Sequence, residues 1–530
     1  MNISLRISEV SKRIPDKKSV VHGDAFYTFS EFEARSNQMA SFFESVGIKK
    51  GMRTLLFVTP RLDFSVITFA LFKVGAVPVL IDPGMGLKNL LHSIKQVRPE
   101  ALVSIGKVHW IRRILRDSFS TVGIKVSLDE VGGSTHYLYE KLSTFPGTFT
   151  AMEMGDDDPS AILFTSGGTG IPKGVQYTHG IMNAQTDALK EMFQLTEKEI
   201  DLPGFPLFAL FTLAMGMTSV IPDMDPTKPA QCDPQKLVKN IVTHQTTFLA
   251  GSPAIWERVG EYCLKNNIQL PSVKYLVMFG APVSLRIHRM YKKILPFGET
   301  FTPYGATECL PVSLISGTEV LQTPTELGQG TCVGKAIPGV KIKIIKTTDI
   351  PHSELHEVKP LIKGEIVVSG RQVTKSYFDM PSETAEAKII DADGTLWHRM
   401  GDLGYMDQNQ NLWFLGRKSH RVESNQTTWY PLEIEAPYAR HPEIRRVALV
   451  NLNSKVPGLV IERWDGETRN QDSFLKEVSR LGIPNHPSSE VKSFFLHPDF
   501  PVDVRHNIKV DQMKLSRWAS GQKGFHVEER

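Results

Sequence analysis

AILFTSGGTGIPKG, residues 161–174, joins two kinds of local chemistry in fourteen positions. Its first part, AILFT, is short, apolar and followed at once by glycine and hydroxyl residues. That is how a strand buried on both faces of a largely parallel sheet reads. The second part runs Thr165, Ser166, Gly167, Gly168, Thr169, Gly170 and, after Ile171 and Pro172, Lys173 and Gly174. Its glycines let the backbone turn tightly and gather N–H groups into one concavity. The three hydroxyls add donors and Lys173 adds a point charge, a set that suits the phosphates of a nucleotide. The spacing is not the G-x-x-x-x-G-K-[ST] of a Walker loop. A Ser/Thr/Gly run by itself is as often a plain surface turn; the lysine and the Pro-Lys-Gly ending favour phosphate.

Outward from this loop the same punctuation recurs. TLLFV (54–58), VPVLID (77–82), TTFLAG (246–251) and YLVMFG (275–280) are short apolar runs bounded by Gly, Pro or Ser. Amphipathic stretches lie between them, such as Leu87–Val97 and His179–Phe193, where Ile181, Met182, Ala188, Leu189, Met192 and Phe193 return at helical spacing. Such alternation, from about residue 19 to 340, predicts an α/β fold with parallel-sheet subdomains. After about residue 339 the pattern changes to a β-rich subdomain. KIKIIK and GEIVVSG read as strands of a meander, and the polar residues 407–411 as the turn of a hairpin. Beyond Gly416 a small α+β unit is expected, so the chain should divide into a large domain, 1–417, and a small mobile one, 418–530.

A chain of 530 residues exceeds what one compact core usually holds. Hydrophobic residues at 41% and charged residues at 22% are ordinary for a globular protein. A net charge of +4 without a basic arm gives no reason to expect nucleic acid. Cys232, Cys263, Cys309 and Cys332 form no C-x-x-C pair, and a chain of this size does not need disulfide staples. The N-terminus has no apolar signal-like core, so a cytoplasmic protein is expected. Residues 202–222 are uncharged and long enough to cross a bilayer. Pro203, Gly204, Pro206 and Gly216 interrupt them, which favours a buried core segment or an acyl-binding wall over a membrane span.

The glycine-rich loop resembles the signature loop of the adenylate-forming superfamily, which holds acyl-CoA synthetases, peptide-synthetase adenylation domains and luciferases. Four further segments match in order along essentially the whole chain. Gly280-Ala281-Pro282 resembles the adenine-side turn, and Tyr304-Gly305-Ala306-Thr307-Glu308 the motif after it. There the resemblance implies that Tyr304 packs on adenine, Thr307 touches the α-phosphate and Glu308 holds Mg²⁺. Gly401-Asp402-Leu403-Gly404 and Gly416-Arg417 are similar to the motifs whose Asp and Arg reach the ribose. Set among glycines, Asp402 is expected to expose a carboxylate able to accept two hydroxyl hydrogens. The resemblance further implies ATP and Mg²⁺ as cofactors, a hinge at Ser419 and a catalytic lysine near the C-terminus, for which Lys509 in Arg505-His506-Asn507-Ile508-Lys509 is the candidate.

Three departures narrow the resemblance. Acyl-CoA synthetases commonly carry Pro-Leu-Phe-His where this chain has Pro206-Leu207-Phe208-Ala209. The glycine-bearing segment after the hinge is replaced by Arg421-Val422-Glu423-Ser424-Asn425, and the lysine lies in an unusual context. With GRKSHRVES, PVDVRHNIK, FPLFALF, IDPGMG and IPDMDP, these look like the β-lactone synthetases of long-chain olefin biosynthesis. That subgroup implies adenylation of a 2-alkyl-3-hydroxy acid, ring closure by the substrate's own hydroxyl, and association with other olefin-pathway enzymes. Two alternatives stay open at this point: a fatty acyl-CoA or acyl-AMP ligase, and a non-catalytic nucleotide-binding interaction protein. His420 and His506 have the right chemistry to be the base for ring closure, although a structural or solvated role is commoner for such histidines.

Overall fold

The computed structural model describes every residue except 134, 166–171, 324–328, 350–354, 425–426, 454, 465–468, 503–509 and 528–530. The chain forms two compact units. One comprises Met1–Val312, Ile337–Val340 and Ser369–Lys388; the other comprises Ser313–Ala336, Lys341–Val368 and Ile389–Arg530.

The first unit is the expected α/β architecture. In one of its sheets Arg53–Phe57 and Val77–Ile81 pair in parallel, Val77–Ile81 pairs in parallel with Pro159–Thr165, and Lys173–Thr178 closes the edge antiparallel. In another, Lys18–His22, Thr218–Val220, Ile200–Pro203, Phe248–Gly251, Tyr275–Met278 and Glu299–Ala306 run parallel in that spatial order. All carboxyl ends of these six strands therefore share one edge, where open α/β sheets bind their ligands. The helices form where the sequence pattern placed them, over Leu87–Val97 and His179–Phe193. Thr178 starts the latter by accepting the Ile181 N–H at 3.3 Å, satisfying one of the donors a helix N-terminus leaves open.

Residues 202–222 become the end of a strand, the seven-residue helix Phe208–Ala214 and the strand Thr218–Val220. No helix among the described residues is long and apolar enough to cross a membrane. Cys232, Cys263, Cys309 and Cys332 are free thiols.

The second unit contains most of the meander. Val340–Ile345, Gly364–Gly370, Leu396–Met406 and Leu412–Arg417 lie side by side in that order. Asp407 makes the last turn tight: its carboxylate accepts the backbone N–H groups of Asn409 and Asn411, both at 2.8 Å. Further on, Ile444–Leu452, Val456–Arg463, Ser493–Leu496 and Phe525–His526 form a four-stranded sheet. It packs on a core that includes Ile434, Tyr438, Leu459, Phe474 and Phe494. Residues 431–440 form two short pieces, Pro431–Glu435 and a 3-10 turn Tyr438–Arg440, because Pro437 has no N–H to continue the helix.

Candidate active site

Lys173 opens the edge strand Lys173–Thr178, and its backbone pairs with that of Thr165. Ser166, Gly167, Gly168, Thr169 and Gly170 lie outside the described residues, as does the Thr165 side chain. The strand has a second neighbour that the sequence reading missed. Gly174 accepts the Phe378 N–H at 2.7 Å, and Val175 bridges to Tyr377. This brings the Tyr377 ring under the Lys173 ammonium, 4.9 Å from the ring centroid, within cation–π range.

The same tyrosine reaches the next motif. Glu299–Ala306 and Cys309–Ser316 are joined by a two-residue turn, Thr307-Glu308. Gly305 is required just before it, since a Cβ there would stand 2.7 Å from the Cys309 carbonyl oxygen. The turn is pinned at both residues: the Thr307 carbonyl accepts the Tyr177 hydroxyl at 2.6 Å, and the Glu308 carbonyl accepts the Thr374 N–H at 2.8 Å. The Glu308 carboxylate accepts the Tyr377 hydroxyl at 2.7 Å. Lys388 completes the cluster, with its ammonium 3.4 Å from the Thr374 hydroxyl. Burial pushes Lys388 down to about 8, against the opposing pull of Glu308 and Cys309. Lys173, Glu308, Tyr377 and Lys388 thus share one polar cluster, although they span more than two hundred positions of the chain.

Gly280, Ala281 and Pro282 follow the strand Tyr275–Met278 at its carboxyl end, and Gly280 has φ +89°, a conformation few other residues adopt. Tyr304 is half-buried on Glu299–Ala306. Beside it opens an apolar cleft, bordered by Pro303 and Leu310 on either side of the Tyr304–Glu308 motif. Phe208 and Phe279 cover it, their rings stacked with centroids 4.4 Å apart.

In the second unit Asp402 and Arg417 lie opposite each other on paired strands, and the guanidinium meets the carboxylate at 2.9 Å. The expected exposure of Asp402 is corrected here: its side chain is only 4% exposed, because it stands inside the sheet with Arg417, itself 42% exposed, over it. Gly416 has φ +122° and a Cβ on it would press to 2.9 Å from Pro431. Ser419 is exposed at the centre of a single 3-10 turn, Lys418–His420. Burial and the nearby Arg417 push His420 down to about 4, so its ring is neutral. Arg505, His506 and Lys509 lie outside the described residues.

A divalent metal finds hard donors in this arrangement. Among the described residues no three His, Cys, Asp or Glu side chains gather as a metal cage. Glu308 instead offers a carboxylate steadied by Tyr377. That fits Mg²⁺, which is commonly held by one or two carboxylates together with substrate phosphates.

A parallel sheet with motifs at its carboxyl edge, a lysine just after a glycine-rich segment and an acid on a nearby turn are an arrangement suited to a nucleotide-dependent enzyme. The chain belongs to the AMP-binding enzyme family, whose pattern matches residues 7–378. It is an ATP-dependent, AMP-forming ligase that works with ATP and Mg²⁺. Within that family it is 39% identical to the olefin β-lactone synthetase of Stenotrophomonas maltophilia (strain K279a), over 98% of both chains. It is 37% identical, with the same coverage, to the olefin β-lactone synthetase of Xanthomonas campestris pv. campestris. ATP-bound MatB from Rhodopseudomonas palustris has the same fold, with a TM-score of 0.78 at 21% identity over 98% of this chain and 99% of that one.

Proposed function

We propose that this enzyme adenylates a 2-alkyl-3-hydroxy fatty acid and closes it to a β-lactone. The observation that carries the reading is the end-to-end similarity to two β-lactone synthetases, at 39% and 37% identity. In the first step a substrate carboxylate oxygen bonds to the α-phosphorus of ATP, and the bond to pyrophosphate breaks. Such transfers ask mainly for positioning and charge neutralisation. We assign nucleotide-phosphate binding to Thr165, Ser166, Gly167, Gly168, Thr169, Gly170 and Lys173, and the adenine side to Gly280, Ala281, Pro282, Tyr304 and Gly305. Asp402 and Arg417 serve the ribose, Thr307 the α-phosphate, and Lys509 the charge shared by carboxylate and phosphate. Mg²⁺, held by Glu308, supplies further neutralisation of the phosphates.

In the second step the 3-hydroxyl oxygen attacks the acyl carbon, the carbon–oxygen bond to phosphate breaks, and AMP leaves with the electron pair. The hydroxyl proton passes to a base or to water. The nucleophile arrives with the substrate, so proximity favours the step. A pantetheine channel is then unnecessary, which agrees with Glu423 and Ser424 in place of a glycine segment. The small domain 418–530 turns at Ser419 between the two steps, and the enzyme works in the cytoplasm beside other olefin-pathway enzymes.

The test is to incubate purified enzyme with ATP, Mg²⁺ and a 2-alkyl-3-hydroxy acid, and separately with a plain fatty acid and CoA. The expected result is AMP equimolar with a product lighter than the acid by one water, unchanged by CoA. Efficient thioester formation from the plain acid, with no lactone from the hydroxy acid, would make it an acyl-CoA ligase instead.

A further inference from the structure

Helix Phe208–Ala214 stands between two cavities. Phe208, Phe211, Thr212 and Met215 border the apolar cleft beside Tyr304. Their spacing of three, one and three residues is one face of a helix. Ala209 lies about 100° further round the helix axis. With Pro206, Phe64, Ile221 and Met224 it borders a second cavity, open to solvent, which Arg61 and Ser65 also touch. The cavities adjoin: Gly204 of the second donates its N–H to the carbonyl of Ala250 of the first at 2.7 Å. The second lies by the carboxyl ends of Ile200–Pro203 and Thr218–Val220, and the first runs along Phe248–Gly251 and Tyr275–Met278 as far as Phe279.

We propose that the two cavities take the two alkyl chains of one branched acid, one chain each, and that Ala209 keeps the second cavity open. The inference rests on the β-lactone reading, whose substrate carries chains on neighbouring carbons. Chains leaving neighbouring carbons must diverge, and adjoining cavities on either side of one helix separate them while each lies against apolar side chains. Each buried methylene contributes roughly fourfold in affinity, so two receptive cavities reward two long chains. Ala209 is buried, and any larger side chain there, such as the histidine of a Pro-Leu-Phe-His stretch, would project into the second cavity. The first cavity borders the Tyr304–Glu308 motif through Pro303 and Leu310, so the shared carboxyl end of the substrate lies there.

The experiment uses two series of 2-alkyl-3-hydroxy acids, one varying only the C2 chain and the other only the chain beyond C3. Wild type, Ala209→Phe (second cavity) and Leu189→Trp (first cavity) are compared by ATP–pyrophosphate exchange and lactone mass. Melting curves check the fold, and Ala209→Leu with Leu189→Phe replaces any variant that does not fold. Ala209→Phe should raise KM for long members of one series by roughly 10- to 20-fold, the scale of two excluded methylenes, and spare the other series. Leu189→Trp should do the reverse. Folded variants that penalise the same chain, or neither chain, overturn the two-cavity proposal while wild-type lactone formation keeps the functional reading. Wild type that activates unbranched acids only, with no lactone from either series, overturns both.

Discussion

Tyr377 joins two groups that sequence motifs treat separately. Its hydroxyl donates to Glu308 at 2.7 Å and its ring lies beneath Lys173. The two contacts can be removed one at a time. Tyr377→Phe deletes the hydrogen bond and keeps the ring; a hydrogen bond to a charged group contributes about 1.5–3 kcal/mol. The Mg²⁺ concentration for half-maximal ATP–pyrophosphate exchange should therefore rise roughly 10- to 100-fold. Calorimetric binding of ATP without metal should barely change. Tyr377→Leu should weaken metal-free ATP binding as well, because the lysine loses its aromatic support. Equal metal dependence in wild type and Tyr377→Phe would show that Glu308 is held by other means. Neither contact was visible in the sequence: Lys173, Glu308 and Tyr377 are far apart in the chain, and no local pattern marks a tyrosine in KSYFDMP.

The turn Lys418–His420 is the element on which the proposed rotation depends. Its flanks are tied down. Arg417 pairs with Asp402 at 2.9 Å, Lys418 with Glu365 at 3.3 Å, and Arg421 with Asp349 at 2.7 Å, whereas Ser419 between them is exposed. Proline fixes φ near –65° and restricts the residue before it. Ser419→Pro should thus lower lactone formation about tenfold or more while adenylate exchange stays within a few-fold, since losses confined to a conformational step do not follow the chemistry. Ser419→Ala serves as the control. Equal losses in both assays would place the rotation elsewhere. The short helix Phe208–Ala214 makes a related point. Its apolar composition was readable, but composition cannot say that successive residues, Phe208 and Ala209, face different cavities.

Across the whole molecule, buried titratable groups make stability depend on pH in two directions. Burial pushes His179, His288 and His420 each down to about 4. Between about 4 and the ordinary histidine value near 6.5, the unfolded chain binds protons that the fold refuses. Stability contributed by these rings is present above 6.5 and lost as pH falls toward 4, by up to about 1.4 kcal/mol per pH unit per ring. Burial raises Asp201 and Glu435 to about 7, and their contribution runs the other way: it is present below the ordinary carboxylate range near 4 and lost as pH rises from there to 7, offsetting part of the histidine effect. With three rings opposed by two carboxyls, urea midpoints should decline only shallowly from pH 6.5 to 4.5, and His288→Gln, which removes a ring bonded to Thr300 at 2.9 Å, should abolish that decline. An unchanged slope would mean that His288 takes up its proton without strain in the fold.

By itself the sequence determined the strand–loop chemistry of residues 161–174, the parallel α/β character, the order of the nucleotide motifs and the departures at Ala209 and 421–425. These are local properties, set by residue type and short spacing. Tertiary structure alone decided that Asp402 is buried against Arg417, that Tyr377 links Lys173 to Glu308, that Lys388 joins them, and that one helix divides two cavities. The physical reason is the same in each case. Strand order and crossovers decide which distant segments lie within hydrogen-bonding distance, and no local spacing carries that information.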